Sequence, residues 1–196
     1  MIRFGLRLTV AGGREALVRL ALVGTAVAIG VALLLGTIAA MNAVSAQNLR
    51  YAWLNSAVTE AATGPEAADP ALFAIRQDYV RGVSLARIDI AVTGPASPVP
   101  PPGLPALPPA GEFYASPALS RLLATTPAAE LGDRWPGRQA GVLGDAALPS
   151  PDSLMVVVGR TPADAARIQD VTEITRFVSV DPSQCQGCYL GVGKDA

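Results

Sequence analysis

Twenty-two consecutive positions, Leu20 to Met41, carry no charged side chain, and Thr25 and Thr37 are their only polar ones. As an α-helix this run is about 33 Å long at about 1.5 Å per residue. That matches a bilayer hydrocarbon core of about 30 Å. A membrane-spanning helix over residues 20–44 is the expectation. Val44-Ser45-Ala46 offers small residues where a signal peptidase could cut, but a signal-peptide apolar region is usually about 7–15 residues. The length therefore favours a retained anchor.

The pattern on either side extends the picture. Residues 1–19 mix Arg3, Arg7, Arg14 and Arg19 with Ile2, Phe4, Leu6, Leu8 and Val10. This lead-in either lies along the inner membrane surface as an amphipathic element or, with Gly12-Gly13 inside it, is unstructured as far as Arg14. Beyond the span, no proline or glycine interrupts the chain until Gly64, and Leu49, Trp53 and Leu54 keep near-helical spacing. A helical stalk over 45–64 follows. Tyr51 and Trp53 could mark the membrane interface, but Met41 to Trp53 is about 18 Å of helix. Packing of these aromatics on an external domain is preferred.

Residues 65–184 read as a small mixed α+β domain. "DPALFAIRQDYVRG" predicts a short helix capped by Asp69 with Pro70 at its first position. "SLARIDIAVTG" alternates Ile88, Ile90 and Val92 with Arg87, Asp89 and Ala91, the signature of a half-buried strand. Residues 94–111, "GPASPVPPPGLPALPPAG", predict an extended loop or spacer. "SPALSRLLATTP" predicts a helix with Ser116 as cap and Pro117 first. "TPAAELGDRW" predicts another, with Thr126, Pro127 and Glu130 before a stop at Gly132. "SLMVVVGR" predicts a buried strand, "TPADAARIQD" a Thr-Pro helix start, and "VTEITRFVSV" a strand holding Ile174, Phe177, Val178 and Val180. The fold class is α+β: one long N-terminal transmembrane helix, then a small extracytoplasmic domain.

Charge gives this arrangement a direction. The first nineteen residues carry a net charge of +3, whereas the rest has eleven Lys/Arg against fifteen Asp/Glu, a net of −4. Positive charge stays on the cytoplasmic side. The expectation is a cell-membrane protein with its N-terminus in the cytoplasm and the bulk of the chain outside. The acidic bulk offers no basic surface for a phosphate backbone, which disfavours nucleic acid as a partner. The chain has no histidine. Ser-His-Asp and Cys-His catalysis and His-ligated zinc are therefore excluded, and the expectation is a protein that is not an enzyme.

Within the span, Gly24, Ala28, Ala32, Gly36 and Ala40 recur every four residues and form a stripe of small side chains suited to helix–helix packing in lipid. Cys185 and Cys188 form a C-x-x-C pair near the C-terminus, in a 185–196 tail rich in glycine. The pair could form a local disulfide, share a metal with another chain, or act as a redox dithiol; Gly187 argues against the helix that redox chemistry needs. "GVGKDA" lacks the first glycine and the hydroxyl of a phosphate loop. Asp145, Asp152, Asp164 and Asp170 show no ligand spacing, and Ser116 and Ser153 have no histidine to act as base. No catalytic, cofactor-binding or metal-binding residue is nominated.

The opening 55 residues, through "AAMNAVSAQNLRYAWLN", resemble the start of bacterial FtsX-like ABC transporter permeases, related more distantly to the MacB type. "GEFYASPALSRLL", "ELGDRWPGRQAGVLGDAALPSPDSLMVVVGR" and "TRFVSV" resemble the external domain that follows the first span in that family. The resemblance implies further transmembrane helices and a cytoplasmic ABC ATPase as partners. It also implies a role in coupling that ATPase to the external domain during transmembrane transport. The chain carries one hydrophobic span, so it is expected to be an N-terminal fragment, a truncated frame or a single-span accessory protein. The alternatives are an envelope-tethered binding or scaffold protein and an extracytoplasmic thiol-redox protein.

Overall fold

The computed structural model describes residues 13–57, 69–135 and 137–179. The chain divides into two compact units, at Ser45/Ala46. Helix α1 runs from Gly13 to Tyr51, 39 residues. It is long and apolar enough to cross a membrane, and none of its most apolar stretch is buried among the described residues. Leu22 and Leu33 are 65% and 67% exposed. Thr37 donates its hydroxyl to the Leu33 carbonyl at 2.8 Å, which satisfies a polar group inside the apolar run. The pattern predicts helix as far as residue 64, of which residues 58–64 lie outside the described residues; α1 stops at Tyr51. The chain passes at once into a 3-10 turn, Ala52–Asn55, all four residues of which are buried.

The domain is built on one six-stranded sheet. Its strands are β1 (Ala71–Val80), β2 (Val83–Val92), β3 (Glu112–Ala115), β4 (Arg138–Val142), β5 (Leu154–Gly159) and β6 (Thr172–Ile174). They lie in the order β4-β3-β5-β2-β1-β6. β1 and β2 form a hairpin in register from Ala71↔Val92 to Val80↔Val83. Arg81 and Gly82 both take positive φ, 50° and 80°, as a two-residue hairpin turn of matching twist requires. β5 runs parallel to β2 and antiparallel to β3, β4 runs parallel to β3, and β6 closes the other edge against β1.

The helix expected over "DPALFAIRQDYVRG" is therefore strand β1. Asp69 caps no helix: its N–H bonds the Ala96 carbonyl at 2.6 Å and its carboxylate accepts the Ala96 N–H at 2.8 Å. Pro70 stands just before the strand, where a missing N–H leaves the ladder intact. Ten paired residues outweigh a local capping signal.

One sheet face buries Phe73, Ile88, Ile90, Met155 and Val157 against Trp53, Leu54, Leu104, Leu143 and Leu148. The proline-rich segment thus contributes Leu104 to the core and is no spacer. Gly103 takes φ +86° and accepts the Gly144 N–H at 2.8 Å. The opposite face carries two smaller clusters. Helix α2 (Pro117–Thr125) sets Leu119 over Leu85, Val156 and Val158, with Leu131 and Trp135 beside it. Helix α3 (Pro162–Ala165) sets Ala165 over Leu72 and Ala91. Ser116 is the expected cap: its hydroxyl accepts the Leu119 N–H and also the Met155 N–H, each at 3.2 Å. "TPAAELGDRW" gives only a turn and a 3-10 helix over Gly132–Arg134, with Leu131 and Trp135 drawn into the core on either side. The last strand keeps three residues; Phe177 and Val178 pack beyond it without pairing.

Candidate functional site

Two places in the domain concentrate buried polar contacts. The first is where the chain enters it. Trp53 donates its indole N–H to the Ala147 carbonyl at 3.0 Å. Its ring stands edge-on to Phe73 and Phe177 at centroid distances of 6.5 and 6.2 Å, and those two rings meet at 6.0 Å. Such edge-to-face pairs add about 0.5–1.5 kcal/mol each beyond area burial. Ser56 donates to the Trp53 carbonyl at 2.7 Å and accepts the Val178 N–H at 3.0 Å. The entry segment and residues 177–178 are thereby fastened to each other.

The second place lies on the opposite sheet face, between the α2 and α3 clusters. Asp89 points there from β2, its side chain fully buried. Arg76 of β1 meets Asp89 Oδ2 through Nη2 at 2.7 Å. Arg87, two residues along β2, reaches Oδ2 through Nε at 3.1 Å and Oδ1 through Nη2 at 3.3 Å. Arg160, just past the end of β5, meets Oδ1 through Nε at 2.7 Å. Arg76 and Arg87 sit directly opposite each other in the ladder, a like-charge pairing that ordinarily destabilises a sheet. Asp89 reconciles them.

Burial alone would push the Asp89 carboxyl up. The hydrogen bonds from Arg160 and Arg76 and the charges of Arg87 and Arg160 outweigh it and hold the carboxyl below its ordinary 3.8. The Arg87 guanidinium is pulled below its usual value, by burial first and also by repulsion from Arg76 and Arg160, against the pull of Asp89. The strand pattern placed Arg87 and Asp89 on a solvated face. Asp89 is instead 1% exposed as a whole residue and Ala91 likewise, so β2 is buried on both faces at this end.

Gly24, Ala28, Ala32, Gly36 and Ala40 all fall on α1, along one row of four-residue steps. Such rows form the ridges through which helices interdigitate. A Cβ added at Gly24 or Gly36 would meet no described atom within 4 Å beyond its own turn of helix. Cys185 and Cys188 lie outside the described residues. Asp164 belongs to the start of α3, where it accepts the Thr161 hydroxyl at 2.7 Å. Among the described residues no group of three or more Cys, Asp or Glu is placed to hold a metal ion. The arginine cluster escaped sequence reasoning because its members come from β1, β2 and the residue after β5, three separate stretches of the chain. The one available signal was the oppositely charged Arg87-x-Asp89 pair on a single face of a strand.

No protein-family model, curated protein or solved structure matches this chain.

Proposed function

We propose that the chain is the first span and external domain of an FtsX-like ABC permease, with its N-terminus in the cytoplasm and residues 69–179 outside the cell membrane. In that role α1 joins a cytoplasmic ATPase, through further transmembrane helices, to the external domain. The observation that supports this reading best is the Ser56–Val178 hydrogen bond. A domain inserted between two spans must enter and leave at one place, and residues 52–57 and 177–178 meet there. The buried Trp53 beside them suits a junction that carries load from a helix into a core. The row of small residues on α1 suits contact with other spans.

The test is cross-linking and co-purification of the full chain from membranes in mild detergent. An ATPase and a multi-span protein should be recovered, and Gly24→Leu with Gly36→Leu should abolish their recovery. Recovery of neither, or recovery indifferent to both substitutions, refutes the assignment. Protease added to intact spheroplasts should cut residues 69–179 and spare the N-terminus; the opposite result refutes the orientation. A tethered binding protein is the second reading, supported by the arginine cluster on Asp89. It predicts that an unrelated apolar helix can replace residues 20–44 without loss of function.

A further inference from the structure

Three guanidinium groups gather around one carboxylate, leaving a net charge of +2 on the sheet face between α2 and α3. An ionised carboxylate offers about four lone-pair positions. The contacts from Arg76, Arg87 and Arg160 number four, so Asp89 is saturated. Arg76 uses only Nη2 and Arg160 only Nε in this cluster. Nε and Nη1 of Arg76, and both terminal nitrogens of Arg160, bond no other described residue. The three side chains remain 42%, 15% and 18% exposed for Arg76, Arg87 and Arg160, so solvent reaches them. Beneath them Ala74 and Val158, the register partners of Asp89, are buried and apolar. That floor lowers the local dielectric and strengthens any charge-assisted bond made above it.

A single arginine would neutralise Asp89. Two more bring like charges together, with repulsion that an external anion relieves. The geometry points to a phosphate-binding site in which Arg76 and Arg160 hold the phosphate oxygens and Asp89, through its saturated carboxylate, fixes the two guanidinium forks. A surplus of two charges matches a dianionic phosphate, and planar forks match its oxygens in pairs. A monocarboxylate would leave half the surplus uncompensated. The phosphate is either free in solution or the phosphomonoester headgroup of a lipid. The site is independent of the permease reading.

The test titrates inorganic phosphate into the full chain in uncharged detergent at low ionic strength, followed by calorimetry. In parallel, native mass spectrometry measures retention of phosphatidic acid, a phosphomonoester, over phosphatidylglycerol and phosphatidylcholine from mixed nanodiscs. Phosphate binding that falls about tenfold or more in Arg76→Gln and in Arg160→Gln supports a soluble phosphate. Selective lipid retention lost in the same variants supports a headgroup. Arg76→Lys should keep part of the affinity, because it keeps the charge but not the fork. Arg76 is the most exposed of the three, so its variants decide the matter even if Arg160→Gln fails to fold. Failure to bind either ligand, binding unchanged by Arg76→Gln, or acetate bound as tightly as phosphate overturns the proposal.

Discussion

Ser56 and Val178, separated by 122 positions, are joined by a hydrogen bond of 3.0 Å from the Val178 N–H to the Ser56 hydroxyl. That hydroxyl also donates to the Trp53 carbonyl, so one buried side chain ties the turn after α1 to the far end of the described domain. Ser56→Ala leaves the Val178 N–H buried without an acceptor, a loss of about 1–3 kcal/mol. Trp53→Phe keeps the ring contacts but strands the Ala147 carbonyl, at about 1 kcal/mol. Thermal unfolding of the full chain in detergent, followed by near-ultraviolet circular dichroism, should rank the wild type above both variants. Increased amide exchange at Val178 should appear in Ser56→Ala alone.

Ser116 is expected to be more sensitive than an ordinary cap. Its hydroxyl serves two buried N–H groups, Leu119 at the start of α2 and Met155 on β5. A cap replaced by alanine typically costs about 1 kcal/mol. Ser116→Ala should lose about 2 kcal/mol or more, because the Met155 N–H is orphaned too. Chemical denaturation gives the value, and a loss no greater than that of Thr161→Ala would show that the link to β5 contributes nothing.

These two sites mark the boundary of what the sequence discloses. Ser116-Pro117 announces a helix start because capping is local chemistry, satisfied within three residues. The bond from Ser116 to Met155 depends on β3 lying beside β5, which no window of sequence contains. The same reason explains the loss of the predicted helix at Asp69: Asp-Pro is a capping signal, but the Arg81-Gly82 turn and the complementary strand β2 decide for a hairpin. Strands β3 and β4 have four and five residues and no sustained alternation, so they form only because neighbours supply their hydrogen bonds. The apolar helix α1 is legible throughout its membrane-length core because length and lack of charge suffice. The arginine cluster is hidden for the opposite reason: beyond the Arg87-x-Asp89 pair, only the pairing of β1 and β5 with β2 brings Arg76 and Arg160 to Asp89.

Asp89 should govern the acid limit of the domain. Its carboxyl titrates below its ordinary 3.8 in the folded protein, so folding favours the ionised form. Its stabilising contribution is complete above about 3.8 and is lost as pH falls below that value toward the lowered one. Asp89→Asn removes the anion at every pH and leaves three arginines without their partner. The cost at neutral pH is about 3 kcal/mol, the low end for a buried pair because Arg76 is substantially exposed and screened. Denaturant titrations across the acid range should show the wild type and Asp89→Asn converging as pH falls. Parallel curves would mean that the pairs contribute no pH-dependent stability.

Gly159 should tolerate no side chain, for a reason that lies in the proline-rich segment. A Cβ built there would collide with the backbone carbonyl oxygens of Pro108 and Pro109, which cannot rotate away as a flexible side chain would. The loop must shift as a body or β5 must bend. Glu112 donates its N–H to the Pro109 carbonyl at 3.1 Å at the start of β3, and Leu104 is anchored in the core, so both ends of the displaced stretch are held. Overpacking of this kind costs about 1–3 kcal/mol. Gly159→Ala should lower the midpoint of unfolding and increase amide exchange at Leu104 and Glu112. Gly36→Ala is the control: it meets open space and replaces the weaker helix former, so α1 should not lose stability. Equal midpoints for wild type and Gly159→Ala would show that the proline-rich segment is not held against β5.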